Sequence, residues 1–182
     1  TVTARITKKR KSYFEARKLK VINESPDFSN PPCSHFNDCG GCTLQNLDYK
    51  KQLFYKEQQV FELYNKMGKF VNIKVEPILK CDEQYYYRNK MEFSFSNKRW
   101  ILKENDLGEN KNFALGLQVP GRYEKILNIN NCHLQHKTAN AILNFVKDEC
   151  IEQNIEPYDI KKHTGFIRHL MLRVGIKTNQ IM

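Results

Sequence analysis

Thiol side chains are the strongest candidates for chemistry in this sequence, because three of its six cysteines lie close together. Cys39 and Cys42 have the C-x-x-C spacing that lets two thiolates reach one metal centre. Gly40 and Gly41 lie between them, so the backbone can wrap closely and direct N–H groups at sulfur. Cys33 can supply a third ligand. Without a secretory signal, this clustering indicates a metal or cluster site rather than disulfide bonds.

A closed zinc or iron–sulfur site usually has four protein ligands, so a fourth must come from elsewhere in the chain. Cys132 is the best candidate, because it follows a predicted strand where the chain turns into a helix. Cys150 lies on the apolar face of that helix and is predicted to be a core residue, while Cys81 stays an alternative. Spacing alone favours zinc and a [4Fe–4S] cluster equally. A thioredoxin-type redox motif is less favoured, since no βαβ pattern surrounds it.

The chain has a net charge of +10, and 40% of its 182 residues are hydrophobic. This composition allows a packed core and excludes disorder throughout. A basic chain attracts polyanions such as RNA, although a solvated basic surface without a partner is an equal alternative on charge alone. The main basic run is Lys8, Lys9, Arg10 and Lys11. No apolar run of about 18 residues occurs and the N-terminus lacks an apolar signal core, so we expect a cytoplasmic protein.

Aromatic residues stand beside basic ones at the start of a predicted strand, where the tyrosines 85–87 precede Arg88 and Lys90. Rings that stack on unpaired bases, beside cations that hold phosphate, are typical of RNA recognition. The alternative, slightly favoured for this segment alone, is that the rings pack into a core. Arg168 and Arg173 form a second basic pair on the last predicted strand.

Hydrophobic periodicity predicts a mixed α+β fold. Met91, Phe93 and Phe95 alternate with polar residues, as in a half-buried strand. Asp48 is a predicted helix N-cap and Gly68 a predicted C′ residue. The chain appears as a fragment, because its last residues, up to Met182, would begin an unfinished hairpin. The predicted strands are near 1–8, 13–23, 70–79, 90–96, 113–118, 123–129 and 166–174, with helices over 49–67 and 136–153 and a long surface loop over 97–112.

Three motifs occur in one order along the chain and resemble the RumA-type 23S rRNA (uracil-5-)-methyltransferases, a class I S-adenosylmethionine-dependent family. They are Cys33-x5-Cys39-Gly-Gly-Cys42-x-x-Gln45, then Tyr87-Arg88-Asn89-Lys90-Met91-Glu92-Phe93, then Gly116-x4-Gly121 leading to Cys132-x-Leu134-Gln135. The resemblance covers nearly the whole chain. It implies that residues 1–24 end a TRAM domain, a small RNA-binding β-barrel of OB type. The proline-rich segment 25–32 is predicted to be a linker. The resemblance further implies an iron–sulfur-containing RNA-binding central domain over 33–182.

The resemblance also implies what the site residues do. Cys33, Cys39, Cys42 and Cys132 would ligate a [4Fe–4S] cluster, which favours iron over zinc. The RNA target would be 23S rRNA, because a tRNA-methylating branch of the family typically lacks this cysteine set. The family adds a cysteine to C6 of uracil, transfers the methyl group to C5 and removes the C5 proton with a carboxylate.

No catalytic cysteine and no S-adenosylmethionine loop of that kind is recognisable in the sequence, so we expect both in a methyltransferase domain outside this chain. Three alternatives stay open. The chain could come from a tRNA uridine-C5 methyltransferase, or it could be a non-catalytic RNA-binding module with a structural metal. An iron–sulfur electron carrier is the least favoured of the three. We expect a monomer.

Overall fold

The computed structural model describes residues 1–70, 73–101 and 110–182. The chain forms two compact units, one of residues 1–30 and 46–78 and the other of residues 31–45 and 79–182. These units do not coincide with a division at 25–32, because the first long helix groups with the N-terminal strands. The assignment of TRAM and central domains therefore stays a prediction.

The N-terminal unit begins with the antiparallel pair β1 (Val2–Lys9) and β2 (Phe14–Val21), which confirms the two predicted strands. The described part of this unit has a two-stranded sheet, and closure into an OB-type barrel stays a prediction. Helix α1 (Tyr49–Glu62) follows and continues into a π-helical turn (Leu63–Met67). Asp48 caps α1 as predicted, because its carboxylate accepts hydrogen bonds from the first backbone N–H groups.

The helical run ends at Met67 as predicted, but the predicted C′ role of Gly68 is wrong by one residue. Gly68 keeps a right-handed conformation with φ of −72°, and Lys69 instead takes the left-handed conformation with φ of 52°. The backbone N–H of Phe70 then donates to the Tyr64 carbonyl at 3.3 Å, and their rings lie 6.1 Å apart. This is the bond and hydrophobic contact of a Schellman ending, displaced by the wider π-helical turn.

The predicted strand at 70–79 is also wrong over residues 73–79, which have no regular secondary structure; residues 71 and 72 lie outside the described residues. Pro77 has no N–H to donate to a strand partner. The backbone N–H of Ile78 donates to the Glu57 carboxylate at 3.1 Å rather than to a neighbouring strand. The predicted loop at 97–112 is mostly outside the described residues as well.

The second unit is built on an antiparallel sheet with strand order β5-β4-β3-β6-β7. Each strand of this sheet corresponds to a strand predicted from the sequence, and helix α2 corresponds to the second predicted helix. The elements are β3 (Lys90–Ser96), β4 (Ala114–Val119), β5 (Arg122–Asn128), α2 (Lys137–Glu152), β6 (His169–Gly175) and β7 (Gln180–Ile181).

The core of this unit lies between the sheet and α2. Met91, Phe93 and Phe95 point to this side of β3 and are buried, as the period-2 pattern predicts. Ala139 and Leu143 of α2 belong to the same buried cluster. Close packing extends to the backbone, because a Cβ at Gly116 of β4 would overlap the Leu127 carbonyl oxygen. Within the described residues, no helix is long and apolar enough to cross a membrane.

Candidate cluster site and nucleic-acid interface

The four predicted cysteine ligands line one small pocket of the second unit. Cys33, Cys39 and Cys42 lie on the loop of residues 33–42, here named the cysteine loop, and Cys132 lies between β5 and α2. The first three are half-buried and Cys132 is 7% exposed. The six cysteines, all of which lie in the described residues, form no disulfide bond. The structure therefore brings together the residues that the sequence could group only by motif.

Three hydrogen bonds fix the cysteine loop, one within the loop, one to β4 and one from the segment that follows β5. The backbone N–H of Cys39 donates to the His35 carbonyl at 2.9 Å, which closes the loop's turn. The backbone N–H of Gly40 donates to the Gln118 carbonyl of β4 at 2.9 Å, and that of Asn130 donates to His35 Nε2 at 3.3 Å. A Cβ at Gly40 would lie 2.7 Å from the Gln118 oxygen, so glycine is required for this approach.

The adjacent glycine confirms the predicted role of the Gly-Gly pair. The backbone N–H of Gly41 donates to Cys39 Sγ at 3.3 Å. Hydrogen bonds of this kind to sulfur are an outer-shell feature of metal and cluster sites.

A buried amide network positions Cys132. Its backbone N–H donates to Asn140 Oδ1 at 2.9 Å, and the Asn140 amide donates to the Cys132 carbonyl at 3.1 Å. The Gln135 amide donates to the same Asn140 oxygen at 2.6 Å. Sequence analysis missed the role of Asn140, whose only signal was an amide on the otherwise apolar face of α2.

Burial governs the electrostatics of these thiols. It raises the pKa of Cys33 and Cys132, and it raises that of Cys39 to about 11. The neighbouring cysteines add to each increase, since a second thiolate nearby disfavours ionisation. These thiols need a nearby positive centre to become thiolates together, and a bound metal or cluster provides one.

The donors do not converge as they would around one ion. Among the residues that the structure describes, no group of three or more His, Cys, Asp or Glu side chains is arranged to hold a single metal ion. Cys150 is 4% exposed in the core, as predicted. Cys81 is exposed, and its thiol donates to the Glu83 carbonyl at 3.0 Å.

Two of the three consecutive tyrosines pack beside this pocket rather than facing solvent. The rings of Tyr85 and Tyr86 lie 6.1 and 5.9 Å from that of His133. Burial, and then proximity to Cys42 and Cys33, raise the pKa of Tyr85. For these two rings the packed alternative is therefore correct.

The predicted RNA-binding residues of the second unit lie on and around β3 and β6. Arg88 is exposed, and its backbone N–H donates to the Leu134 carbonyl at 2.9 Å. Lys90 lies directly opposite Arg173 in the β3–β6 register, on the sheet face away from the core. The Arg168 guanidinium lies 4.8 Å from the centre of the Tyr158 ring. The structure thus pairs Lys90 with Arg173.

The basic run Lys8–Lys11 covers the last two residues of β1 and the start of the β1–β2 turn in the other unit. All four side chains are exposed. Arg10 Nε donates to the Glu15 carboxylate at 2.8 Å, so one of the four charges is locally compensated.

Comparison with known proteins gives relatives that are named as RNA methyltransferases. No family model matches the chain. The chain is 40% identical, over all of its length, to an uncharacterized RNA methyltransferase of Chlorobaculum tepidum, of which it covers 38%. It is 35% identical to one from Porphyromonas gingivalis, covering 99% of this chain and 40% of that protein. The chain thus spans about two fifths of the length of these curated relatives.

A solved structure shares the fold. The Pyrococcus abyssi tRNA (uracil-54, C5)-methyltransferase, in complex with S-adenosyl-L-homocysteine, is 25% identical with a TM-score of 0.58. The match covers 99% of this chain and 36% of that one. Over its whole length the chain is similar to a part of these RNA methyltransferases and to a part of a tRNA (uracil-54, C5)-methyltransferase.

Proposed function

We propose that this chain is the RNA-binding and cluster-bearing part of an S-adenosylmethionine-dependent RNA methyltransferase that methylates C5 of a uridine in 23S rRNA. One observation carries the proposal: Cys33, Cys39, Cys42 and Cys132 line a single pocket in a chain whose relatives are RNA methyltransferases. Residues 1–24 would end a TRAM-like barrel, joined through 25–32 to a central domain over 33–182.

In this proposal the four cysteines would bind a [4Fe–4S] cluster. Each thiolate of such a cluster binds a different iron, so the sulfurs surround the group instead of meeting at one point. A zinc ion would need all four sulfurs at about 2.3 Å from one centre. The bound cluster would supply the positive charge that stabilises thiolates at Cys39 and its neighbours. It would also join the cysteine loop to the start of α2, through Cys132.

The basic residues would hold and orient the RNA. Arg88, Lys90, Arg168 and Arg173 are exposed on the second unit, and the Lys8–Lys11 turn is exposed on the first. Cations at such positions neutralise phosphates, while the uridine leaves its stack to reach the enzyme's reacting groups. S-adenosylmethionine would donate the methyl group from the remainder of the protein. We propose a cytoplasmic monomer.

The alternative substrate is tRNA, and the Pyrococcus abyssi enzyme, named for uracil 54 of tRNA, favours it. The full-length protein should be incubated with S-adenosylmethionine carrying a labelled methyl group and with unmodified 23S rRNA or tRNA transcripts. We expect labelled 5-methyluridine at one site of the rRNA. Label in tRNA alone would establish the alternative. If the protein binds RNA but labels neither RNA, the result would support the alternative of a non-catalytic RNA-binding module.

A further inference from the structure

The segment between α2 and β6 contains a turn built around a buried carboxylate. Asp159 is 5% exposed and accepts hydrogen bonds from Asn97 Nδ2 at 2.8 Å and Lys98 Nζ at 3.2 Å. It also accepts from the backbone N–H groups of Lys161 at 2.7 Å and Lys162 at 3.1 Å. These bonds fix the turn of residues 159–163, here named the Asp159 turn.

The chain after this turn is equally constrained. The Asp159 N–H donates to the Thr164 carbonyl at 2.7 Å. Gly165 has φ of 118°, and a Cβ there would lie 2.6 Å from the Pro157 carbonyl oxygen. The backbone N–H of Phe166 donates to the Glu156 carbonyl at 3.0 Å. The whole segment therefore presents its side chains from a defined backbone.

The side chains on this frame are basic and aromatic. Lys161 and Lys162 are exposed, and the Phe166 side chain is 84% exposed. Next along the chain, the Arg168 guanidinium stacks on Tyr158 at 4.8 Å. A large apolar ring that is almost fully exposed on a well-anchored backbone adds little to the core. Aromatic rings interleaved with cations are what single-stranded RNA binds.

We infer that this segment is a binding site for an unpaired nucleotide, with Phe166 stacking on the base while Lys161 and Lys162 hold adjacent phosphates. The inference deepens the proposed function and rests on it. Its physical basis is pre-organisation. The buried Asp159 fixes the turn before RNA arrives, so the turn loses less conformational freedom on binding. The competing explanation is a structural turn whose lysines and phenylalanine contact only water.

Stacking is tested with a labelled oligouridylate of about 12 nucleotides, within the usual site size of single-strand binders. Phe166→Ala should weaken its binding on the order of tenfold, while Phe166→Tyr should keep wild-type affinity, because one ring replaces another. Phe145→Ala is the matched control, since Phe145 on α2 is 64% exposed. Circular dichroism should show that all three variants fold.

The phosphate contacts are tested by salt dependence. Replacing Lys161 and Lys162 with glutamine should reduce the slope of log affinity against log salt by roughly 1.4, at about 0.7 per phosphate contact. The control replaces the exposed Lys80 and Lys177 and removes the same charge. Equal effects of the two double variants, or wild-type affinity in folded Phe166→Ala, would overturn the site alone. A wild-type protein that binds no RNA would overturn both the site and the proposed RNA binding.

Discussion

Cys132 and Cys150 are buried to a similar extent, yet we expect Cys132 to be a cluster ligand and Cys150 to be a core residue. Both belong to the hydrophobic core cluster, but of the two Cys132 alone also lines the pocket of the cysteine loop. We expect anaerobically reconstituted protein to hold about four irons per chain, as a [4Fe–4S] site requires. Cys132→Ser should lose the iron and the visible absorption, and Cys150→Ser should keep both. Iron and acid-labile sulfide analysis measures this.

The same measurements can reject the cluster. Stoichiometric zinc without iron, after anaerobic reconstitution, would assign the pocket to a zinc ion. Retention of iron by Cys132→Ser with its loss from Cys150→Ser would show that the fourth ligand is misassigned. Cys81→Ser serves as a further control, because its thiol is exposed and bonded to the Glu83 carbonyl.

We expect Arg88 to contribute to recognition of the cognate RNA rather than to the general electrostatic attraction of any RNA. Its side chain is exposed while its backbone is anchored to Leu134, so Arg88→Ala should leave the fold intact. We expect weaker binding of the cognate rRNA fragment by about 1–3 kcal/mol, with less change for unrelated RNA. Filter binding at two salt concentrations measures both. An unchanged ratio of cognate to unrelated affinity in the folded variant would contradict the role.

For individual residues, the sequence predicted which cysteines line one pocket, but it did not predict the hydrogen bonds that position them. Cys132 was identifiable from its place after a strand. The buried amides of Asn140 and Gln135 were not, because their bonds depend on how the chain turns from β5 into α2. The tyrosine run looked suitable for RNA, yet the positive φ of 58° at Tyr86 directs the chain toward His133. Backbone conformations of this kind are rarely evident from residue type.

Among the structural elements, the Asp159 turn makes the fold sensitive to acid. Hydrogen bonds from Asn97, from backbone N–H groups and from Lys98 hold the pKa of the Asp159 carboxyl well below its usual range. A carboxyl with a lowered folded-state pKa stabilises the protein above its unfolded pKa of about 3.9. That stabilisation is lost as pH falls from there toward the folded-state pKa. Asp159→Asn should therefore be less stable than wild type at neutral pH.

Urea denaturation between pH 7 and pH 3 measures this dependence. The stability difference between wild type and Asp159→Asn should narrow as pH falls below about 4, because the unfolded wild-type chain then binds a proton at Asp159 that the folded protein does not. Asp82→Asn is the control, since its side chain is 88% exposed. A difference between wild type and Asp159→Asn that stays constant over this range would show that the carboxylate charge does not stabilise the turn.

The strands and helices followed from local periodicity, whereas their arrangement did not. Alternation at Met91, Phe93 and Phe95 predicted β3 and the buried face correctly. Nothing in that pattern shows that β3 lies between β4 and β6, because strand order depends on contacts distant in sequence. The erroneous strand before Leu79 has a similar origin: apolar alternation was present, but Pro77 and the bond from Ile78 to Glu57 prevented pairing.

For the molecule as a whole, the net charge of +10 should make RNA binding strongly dependent on salt. Neutralising Lys8, Lys9, Arg10 and Lys11 together should weaken binding to all RNAs similarly. It should also reduce the salt slope by up to about 3, since each lost phosphate contact removes about 0.7 for single strands. Titrations at several salt concentrations measure the slope. A selective loss for one RNA would instead assign this turn to sequence recognition.

A matched variant removes the same charge elsewhere in the N-terminal unit. It replaces four exposed lysines with glutamine: Lys50, Lys56, Lys66 and Lys69. We expect a smaller change in slope than for the Lys8–Lys11 variant. Equal changes would mean that charge, and not the hairpin turn, determines the attraction.

The central position of β3 means that one of its edges stays unpaired during translation until β6 has been synthesised. Phe93 pairs with Leu170, which is made 77 positions later, so one edge of β3 waits for its neighbour while the ribosome continues. At about 5–20 residues per second, that wait is roughly 4–15 s. Throughout it, a strand carrying Met91, Phe93 and Phe95 has an open edge, which is a template for pairing with other nascent chains. Overproduction should therefore yield insoluble protein unless chaperones protect that edge until β6 has been synthesised.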